Sequence, residues 1–195
     1  MGFSKASKRQ IAKRSAKQRC ITFPDTYVVI DVETSGLNPE EHEIIELGAI
    51  LVEAHCIKER FSMFVRPQAA ITSQIEVITG ITNAILEKEG VDISLAMQRF
   101  IALLRDLPVV SHNVDFDYSF LRKACAVCDM PLLSNRSIDT LTLSRRKVKK
   151  VDNYKLSTLA AHFAIATTQI HRSLADCEIT YYLYEKLINL DISNQ

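Results

Sequence analysis

Apolar positions along the chain follow two different patterns, and the first of them predicts β-strands. Residues 26–31 form a β-branched and aromatic run, and residues 44–53 and 57–65 give two further stretches of the same kind. A shorter apolar run at 109–112 predicts a fourth strand, and residues 138–143 are expected to supply a fifth. Strands are therefore concentrated in the first third of the chain and become single elements later.

The second pattern, with apolar residues three or four positions apart, predicts helices between and after those strands. Residues 71–86 indicate short helices, and Asp92 is a suitable N-cap for a longer one. Further helices are expected after the fourth strand, near 156–164 and over 174–188. Three early strands followed by alternating helix and strand predict an α/β fold with a mixed sheet.

Charge is distributed unevenly along the 195 residues. The first 20 residues carry seven Lys or Arg and no acid, so the remainder of the chain has a net charge of −6. This composition predicts a basic, flexible tail over 1–22 and one folded domain over 23–195. A second basic cluster lies at 145–150, where it is expected either to hold a phosphate backbone or to be a solvated loop.

Cysteine usage and hydropathy argue against a secreted or membrane protein. The chain has five cysteines, an odd number, and no apolar stretch of membrane-spanning length. The N-terminus is basic but has no hydrophobic segment behind it, so it does not resemble a secretion signal. We therefore expect a cytoplasmic protein without a membrane partner.

Four carboxylates and one imidazole stand out at the predicted ends of strands and helices. Asp31 and Glu33 are two residues apart on a strand, so their side chains are expected on one face. Asp117 falls at the start of a helix, Asp176 lies beside the apolar stripe of the last helix, and His171 precedes it. Taken singly none of the five is specific, and Asp31, Glu33 and Asp117 also fit ordinary exposed or helix-start acids. Together, converging carboxylates favour a site for hard divalent cations, and an adjacent imidazole favours a general base.

Three motifs formed by these residues resemble those of the DEDD superfamily of 3′–5′ exonucleases. The sequence Asp-Val-Glu-Thr-Ser-Gly at 31–36 matches the first motif, and the pair Asn113 and Asp117 matches the second. His171 and Asp176 match the third motif in the subgroup that uses histidine. The sister subgroup has a tyrosine four residues before the last aspartate, where this chain has an arginine.

This resemblance, over about 27–187, implies a ribonuclease H-like fold with a mixed five-stranded sheet flanked by helices. It implies an exonuclease domain that hydrolyses single-stranded DNA from the 3′ end and releases nucleoside 5′-monophosphates. Two Mg²⁺ or Mn²⁺ ions are implied as cofactors, with His171 as the general base that activates the attacking water. The implied metal ligands, which with His171 form the catalytic set, are Asp31, Glu33, Asp117 and Asp176.

The same resemblance also implies contacts with the terminal nucleotide and a protein partner. Segments 78–82 and 138–141 look like those of bacterial DNA polymerase III proofreading subunits. A DNA polymerase is therefore an implied partner, and single-stranded DNA is favoured over RNA as the bound nucleic acid. The residues implied to lie beside the terminal nucleotide are Thr34, Gly36, Ile78, Thr79 and Asn113.

Two other functions remain open from the sequence. The same catalytic residues also serve exoribonucleases that trim RNA or short oligoribonucleotides, and the shape of the pocket around the 2′-hydroxyl separates the two substrates. A non-catalytic, nucleic-acid-binding scaffold on the same fold would usually lack at least one metal ligand, whereas all are present here. The sequence therefore favours an active deoxyribonuclease.

Overall fold

Three strands follow one another near the start of the described chain and pair antiparallel. They are β1 (Tyr27–Thr34), β2 (Ile44–Glu53) and β3 (Cys56–Phe64), each close to its predicted range. Two short strands, β4 (Val109–Ser111) and β5 (Ser137–Asp139), extend the sheet in parallel on the other side of β1. The resulting mixed sheet has the order β3-β2-β1-β4-β5.

The computed structural model describes residues 23–166 and 171–190, so the predicted flexible tail over 1–22 lies outside the described residues. No helix in the described ranges is long and apolar enough to cross a membrane. A five-stranded mixed sheet flanked by helices confirms the predicted α/β, ribonuclease H-like fold. The helices, in chain order, are α1 (Ser73–Thr79), α2 (Asn83–Glu89), α3 (Ile93–Leu104), α4 (Val114–Val127), α5 (Thr140–Lys147), α6 (Leu156–His162) and α7 (Ser173–Ile188).

Alternation along β1 divides the core into two layers, one on each face of the sheet. Val28 and Ile30 pack with residues of α3 and α4, whereas Tyr27 and Val29 pack with residues of α7. All four side chains are fully buried. The next odd-numbered positions of β1 therefore also face α7, and both of these positions hold acids.

Two helix predictions are confirmed in detail. The Asp92 side chain accepts a hydrogen bond from the Ser94 N–H at 2.7 Å and caps α3. The predicted short helices over 71–86 are α1 and α2, which are separated by a turn at Gly80 with a left-handed φ of 68°. This turn directly follows Thr79 and ends α1.

The predicted strand over 138–143 is wrong beyond Asp139. The Asp139 side chain accepts hydrogen bonds from the backbone N–H groups of Leu141 and Thr142, at 3.1 and 3.0 Å, and so caps α5. The basic cluster at 145–150 is consequently not a continuous loop, because its first three residues form the last turn of α5.

Close packing at Gly48 sets the distance between α7 and the sheet. Gly48 lies opposite Asp31 in the antiparallel pair of β1 and β2, on the face that α7 covers. A Cβ atom at this glycine would lie 2.6 Å from the carbonyl carbon of Ser173, the first residue of α7. The absence of a side chain therefore allows the start of α7 to approach the strands that carry the predicted acids.

Candidate active site

A cleft lies at the carboxyl ends of the parallel strands, which is the usual ligand-binding edge of an open α/β sheet. Asp31 and Glu33 occupy this end of β1, and both keep part of their surface open to solvent. They continue the row of Tyr27 and Val29 on the face covered by α7, as the spacing predicts. The two carboxylates therefore lie at the end of β1 beside the last helix, whose Asp176 lines the cleft.

Asp176 on α7 brings a third carboxylate to this pair. One ligand oxygen from each of Asp31, Glu33 and Asp176 lies within 4.8 Å of the others. Asp176 is 8% exposed, and its Oδ1 has no hydrogen-bond partner among the described residues. Three convergent carboxylate oxygens, together with a buried and unpaired oxygen on Asp176, fit the ligand set of a hard divalent cation.

Asp117 enters the site from α4 and is held by two hydrogen bonds. Its Oδ1 accepts from the backbone N–H of Val32 at 3.2 Å, and its Oδ2 accepts from the Ser111 hydroxyl at 2.5 Å. The residue is 2% exposed. The structure thus places Asp117 close enough to Asp31 to raise its pKa, but outside the group of three converging carboxylates.

His171 lies at the rim of the cleft, immediately before α7. Its backbone adopts a left-handed φ of 64°, and its N–H donates to Asp176 Oδ2 at 3.3 Å. Burial raises the pKa of Asp176, and the nearby imidazole of His171 opposes this rise, so the two side chains are close enough to interact. Both residues line a cleft of about 930 Å³, which Asn113 also borders.

Burial raises the pKa values of all four carboxyl groups, and neighbouring carboxylates add to the rise. Loss of solvent is the largest cause at each one, and the pKa reaches about 8 for Glu33, about 7 for Asp117 and about 6 for Asp176. The pKa of Asp31 is also raised well above its usual value, by burial first and then by the charge of Asp117. Such carboxylates repel one another when ionised, and a bound divalent cation relieves the repulsion. The set of donors therefore fits a metal centre.

Glu46 is an acid outside the three motifs that holds the start of α7 in place. It is fully buried and lies opposite Glu33 in the sheet. Its carboxylate accepts hydrogen bonds from Arg172 Nε and Nη2 and from the Ser173 N–H, at 3.2, 3.0 and 3.0 Å, and from the Ser62 hydroxyl at 2.8 Å. The sequence signal for this contact is a single charge within the otherwise apolar start of β2.

We call Glu46, Arg172 and Ser173 the α7 clamp. Arg172 stands where the sister subgroup has tyrosine, and its guanidinium also lies 5.0 Å from the ring centroid of Phe64. Two of its members, Arg172 and Ser173, lie between the two residues of the third motif in sequence. It therefore controls how far His171 and Asp176 stand from the acids of β1.

Three of the residues expected near the terminal nucleotide shape turns at the edge of the cleft. The Thr34 hydroxyl donates to the carbonyl oxygen of Gly36 at 2.6 Å, and a Cβ atom at Gly36 would overlap the imidazole of His42. Asn113 has a left-handed φ of 73°, and its N–H donates to Asp139 Oδ1 at 2.8 Å. Their contact with a nucleotide stays a prediction.

Ile78 and Thr79 differ in what they offer to a substrate. Thr79 is 4% exposed, and its hydroxyl donates to the Ile75 carbonyl at 2.9 Å and accepts from the Ile81 N–H at 3.1 Å. Its hydroxyl is thus engaged in ending α1. Ile78 is 45% exposed, so its apolar side chain is available for contact with a base.

The chain is similar in sequence to exonucleases and to DNA polymerase III proteins. A family model named RNase_T and described as an exonuclease matches residues 28–184. The epsilon subunit of DNA polymerase III from Aquifex aeolicus is 34% identical over 175 residues, which cover 90% of this chain and 86% of that protein. A PolC-type DNA polymerase III from Oceanobacillus iheyensis is 34% identical over 176 residues, which cover 88% of this chain. The chain spans only 12% of the length of that PolC-type relative.

A solved structure shares the same arrangement of strands and helices. Exonuclease X, in complex with 5′-overhanging duplex DNA, has a TM-score of 0.68 and 26% sequence identity. The similarity covers 84% of this chain and 91% of that chain.

The raised carboxyl pKa values predict that the metal-free protein becomes less stable as the pH rises from about 5 to 8. In this window the folded chain binds more protons than the unfolded chain, because Glu33, Asp117 and Asp176 have higher pKa values when folded. Mg²⁺ or Mn²⁺ should raise the Tm most at the upper end of the window. Scanning calorimetry across pH, with chelator or with cation, measures both effects.

The exposed-acid variant Glu59→Gln should behave as wild type. A Tm that rises with pH in chelator would contradict the electrostatic description.

The variant Glu46→Gln is predicted to lower the free energy of unfolding by about 3 kcal/mol, because it leaves Arg172 partly buried and without its counter-ion. It should also weaken Mn²⁺ binding through a displaced α7. The matched control Arg60→Gln breaks the exposed pair with Glu178 and should cost less than about 1 kcal/mol. Urea unfolding and Mn²⁺ titration test this. Equal stability of the two variants would show that the α7 clamp is not a structural determinant.

Proposed function

The chain belongs to the RNase_T exonuclease family, and on that premise we propose that it is a metal-dependent 3′–5′ exonuclease. It removes nucleoside 5′-monophosphates from the 3′ ends of single-stranded DNA, through one exonuclease domain over 23–195. The observation that carries this proposal is the convergence of Asp31, Glu33 and Asp176 within one cleft. These three acids come from two distant parts of the sequence, and all belong to the motifs of the family.

The four motif acids would hold two Mg²⁺ or Mn²⁺ ions. Asp31, Glu33 and Asp176 supply the three oxygens of one site. Asp117, next to Asp31, supplies a ligand for the second, since each of its hydrogen-bonded oxygens retains a free lone pair. When bound, divalent ions would offset the charge of the scissile phosphodiester and favour ionisation of the attacking water.

His171 serves as the general base in this proposal. Imidazole side chains titrate near neutral pH, so a neutral ring can accept a proton from water under physiological conditions. The ring borders the cleft and interacts with Asp176. Its position also follows from the α7 clamp, because the neighbouring residue Arg172 is fixed on Glu46.

The form of the cleft favours an unpaired 3′ end. Asp117 and Asp176 are 2% and 8% exposed, so a phosphodiester must enter the cleft to reach them. Thr34, Gly36, Asn113 and the exposed Ile78 would border the terminal nucleotide, with Ile78 stacking against a base without reading its identity. Thr79, whose hydroxyl is engaged at the end of α1, would orient the adjacent Ile78.

The relatives support DNA rather than RNA as the substrate. Both curated relatives are DNA polymerase III proteins, and the solved structure holds DNA. The name of the epsilon relative also supports a DNA polymerase as the partner. We propose the cytoplasm as the site of action. An exoribonuclease would use the same acids, so substrate choice is decided by experiment. A non-catalytic scaffold is disfavoured by the complete set of acids.

Digestion of matched 5′-labelled DNA and RNA single strands tests the proposed function. With Mg²⁺ or Mn²⁺ we expect a ladder that shortens from the 3′ end on DNA, and no ladder in chelator, because the acids need cations to bind the phosphodiester. Asp31→Asn should lower the rate by at least about a thousandfold. The exposed control Glu59→Gln, on the far edge of the sheet, should cleave as wild type.

Other outcomes of the same digestion are decisive. A ladder on RNA alone would keep the chemistry and reassign the substrate. Cleavage that persists in chelator, or that survives in Asp31→Asn, would disprove the metal-dependent mechanism.

A further inference from the structure

Two basic side chains, from parts of the chain that follow β5, border the cleft. Arg145 belongs to the last turn of α5, and Lys155 directly precedes α6. Both line the same cleft of about 930 Å³ as His171 and Asp176. Both are exposed, and neither has a carboxylate partner within 4 Å among the described residues. We call Arg145 and Lys155 the basic wall.

The backbone beneath the basic wall is held by specific contacts. The imidazole of His112, at the end of β4, lies with Nδ1 2.9 Å from Thr140 Oγ1 and with Nε2 2.9 Å from the carbonyl oxygen of Tyr154. It thereby connects the first residue of α5 to the residue before Lys155. The Asn153 side chain also accepts the N–H of Lys155 at 3.0 Å. The two cations are therefore presented from ordered backbone on two separate elements.

The cleft is lined by both negative and positive side chains. Asp176 lines the cleft and adjoins Asp31 and Glu33, and these acids repel a phosphate backbone unless metal ions are bound. The basic wall attracts phosphates without any bound metal ion. Arg145 is close enough to the imidazole of His112 to lower the pKa of that imidazole, after the larger effect of burial. Arg146, Lys149 and Lys150 are also exposed and add positive charge to the segment between Arg145 and Lys155.

We propose that the basic wall binds the phosphates of the nucleotides that precede the scissile bond. This inference rests on the proposed function, because it assumes that the 3′-terminal phosphodiester lies at the motif acids. The strand then runs from the acids across the cleft to Arg145 and Lys155. Cationic side chains on a polyanion act without regard to base identity, so the wall supports length-dependent, sequence-independent binding.

The double variant Arg145→Gln/Lys155→Gln tests this inference against a matched control. Lys58→Gln/Arg99→Gln removes the same charge from exposed positions, one on the opposite edge strand and one on the opposite face of the sheet. For each we compare hydrolysis of decathymidylate with that of the p-nitrophenyl ester of thymidine 5′-monophosphate, which has no upstream phosphates. The wall variant should raise KM for the decamer roughly tenfold, with a smaller change in kcat and a smaller effect on the ester.

Binding measured by fluorescence anisotropy, on the Asp31→Asn background, gives a second readout. Loss of two phosphate contacts should reduce the slope of log affinity against log salt by about 1.4. Between 50 and 200 mM salt, the wall variant should therefore lose about sevenfold less affinity than the control.

The possible failures are distinguishable. A wall variant with the KM and salt slope of the control would overturn the inference and leave the nuclease function standing. If no form of the protein hydrolyses either substrate, the proposed function fails, and the salt slope alone then decides whether the wall binds a strand.

Discussion

Repulsion among buried carboxylates is the constraint on which the rest of the structure depends. Asp31, Glu33 and Asp176 converge within 4.8 Å, with Asp117 close by, and burial raises the pKa of each. Packing of apolar residues alone would never select this arrangement, because it costs free energy in the absence of a cation. A fold that maintains this arrangement must therefore fix α4 and α7, which carry two of the acids, against the sheet by specific contacts. Such contacts are present on both faces of the sheet.

On one face of the sheet, close packing and buried hydrogen bonds hold the start of α7 against β2. Gly48 admits the start of the helix to close contact, and the α7 clamp then joins it to the sheet through a fully buried carboxylate. On the opposite side, hydrogen bonds from Val32 and Ser111 hold Asp117 at the end of β1. The acids are thus positioned before any ion binds, which lowers the reorganisation that catalysis requires.

The placement of the acids on one face of the sheet was predictable from sequence, because it depends on local periodicity and spacing. Alternation in β1 places Asp31 and Glu33 on one face, and the apolar stripe of α7 places Asp176 against that face. The limits are equally specific. Residues 140–143 look like a strand continuing from β5, but the Asp139 side chain caps a helix there. Glu46 and Arg172 are 126 positions apart, so their pairing depends on tertiary structure that no local pattern encodes.

The central claim is that the acid cluster is a centre for divalent cations, and calorimetric titration of Mn²⁺ tests it most directly. Titration at pH 7.5 in two buffers of different ionisation enthalpy yields the stoichiometry and the number of protons released. We expect two ions per chain, with release of protons from the buried carboxyl groups, and loss of at least one ion in Asp31→Asn. Absence of Mn²⁺ binding in the wild type, or identical binding in Asp31→Asn, would contradict the claim.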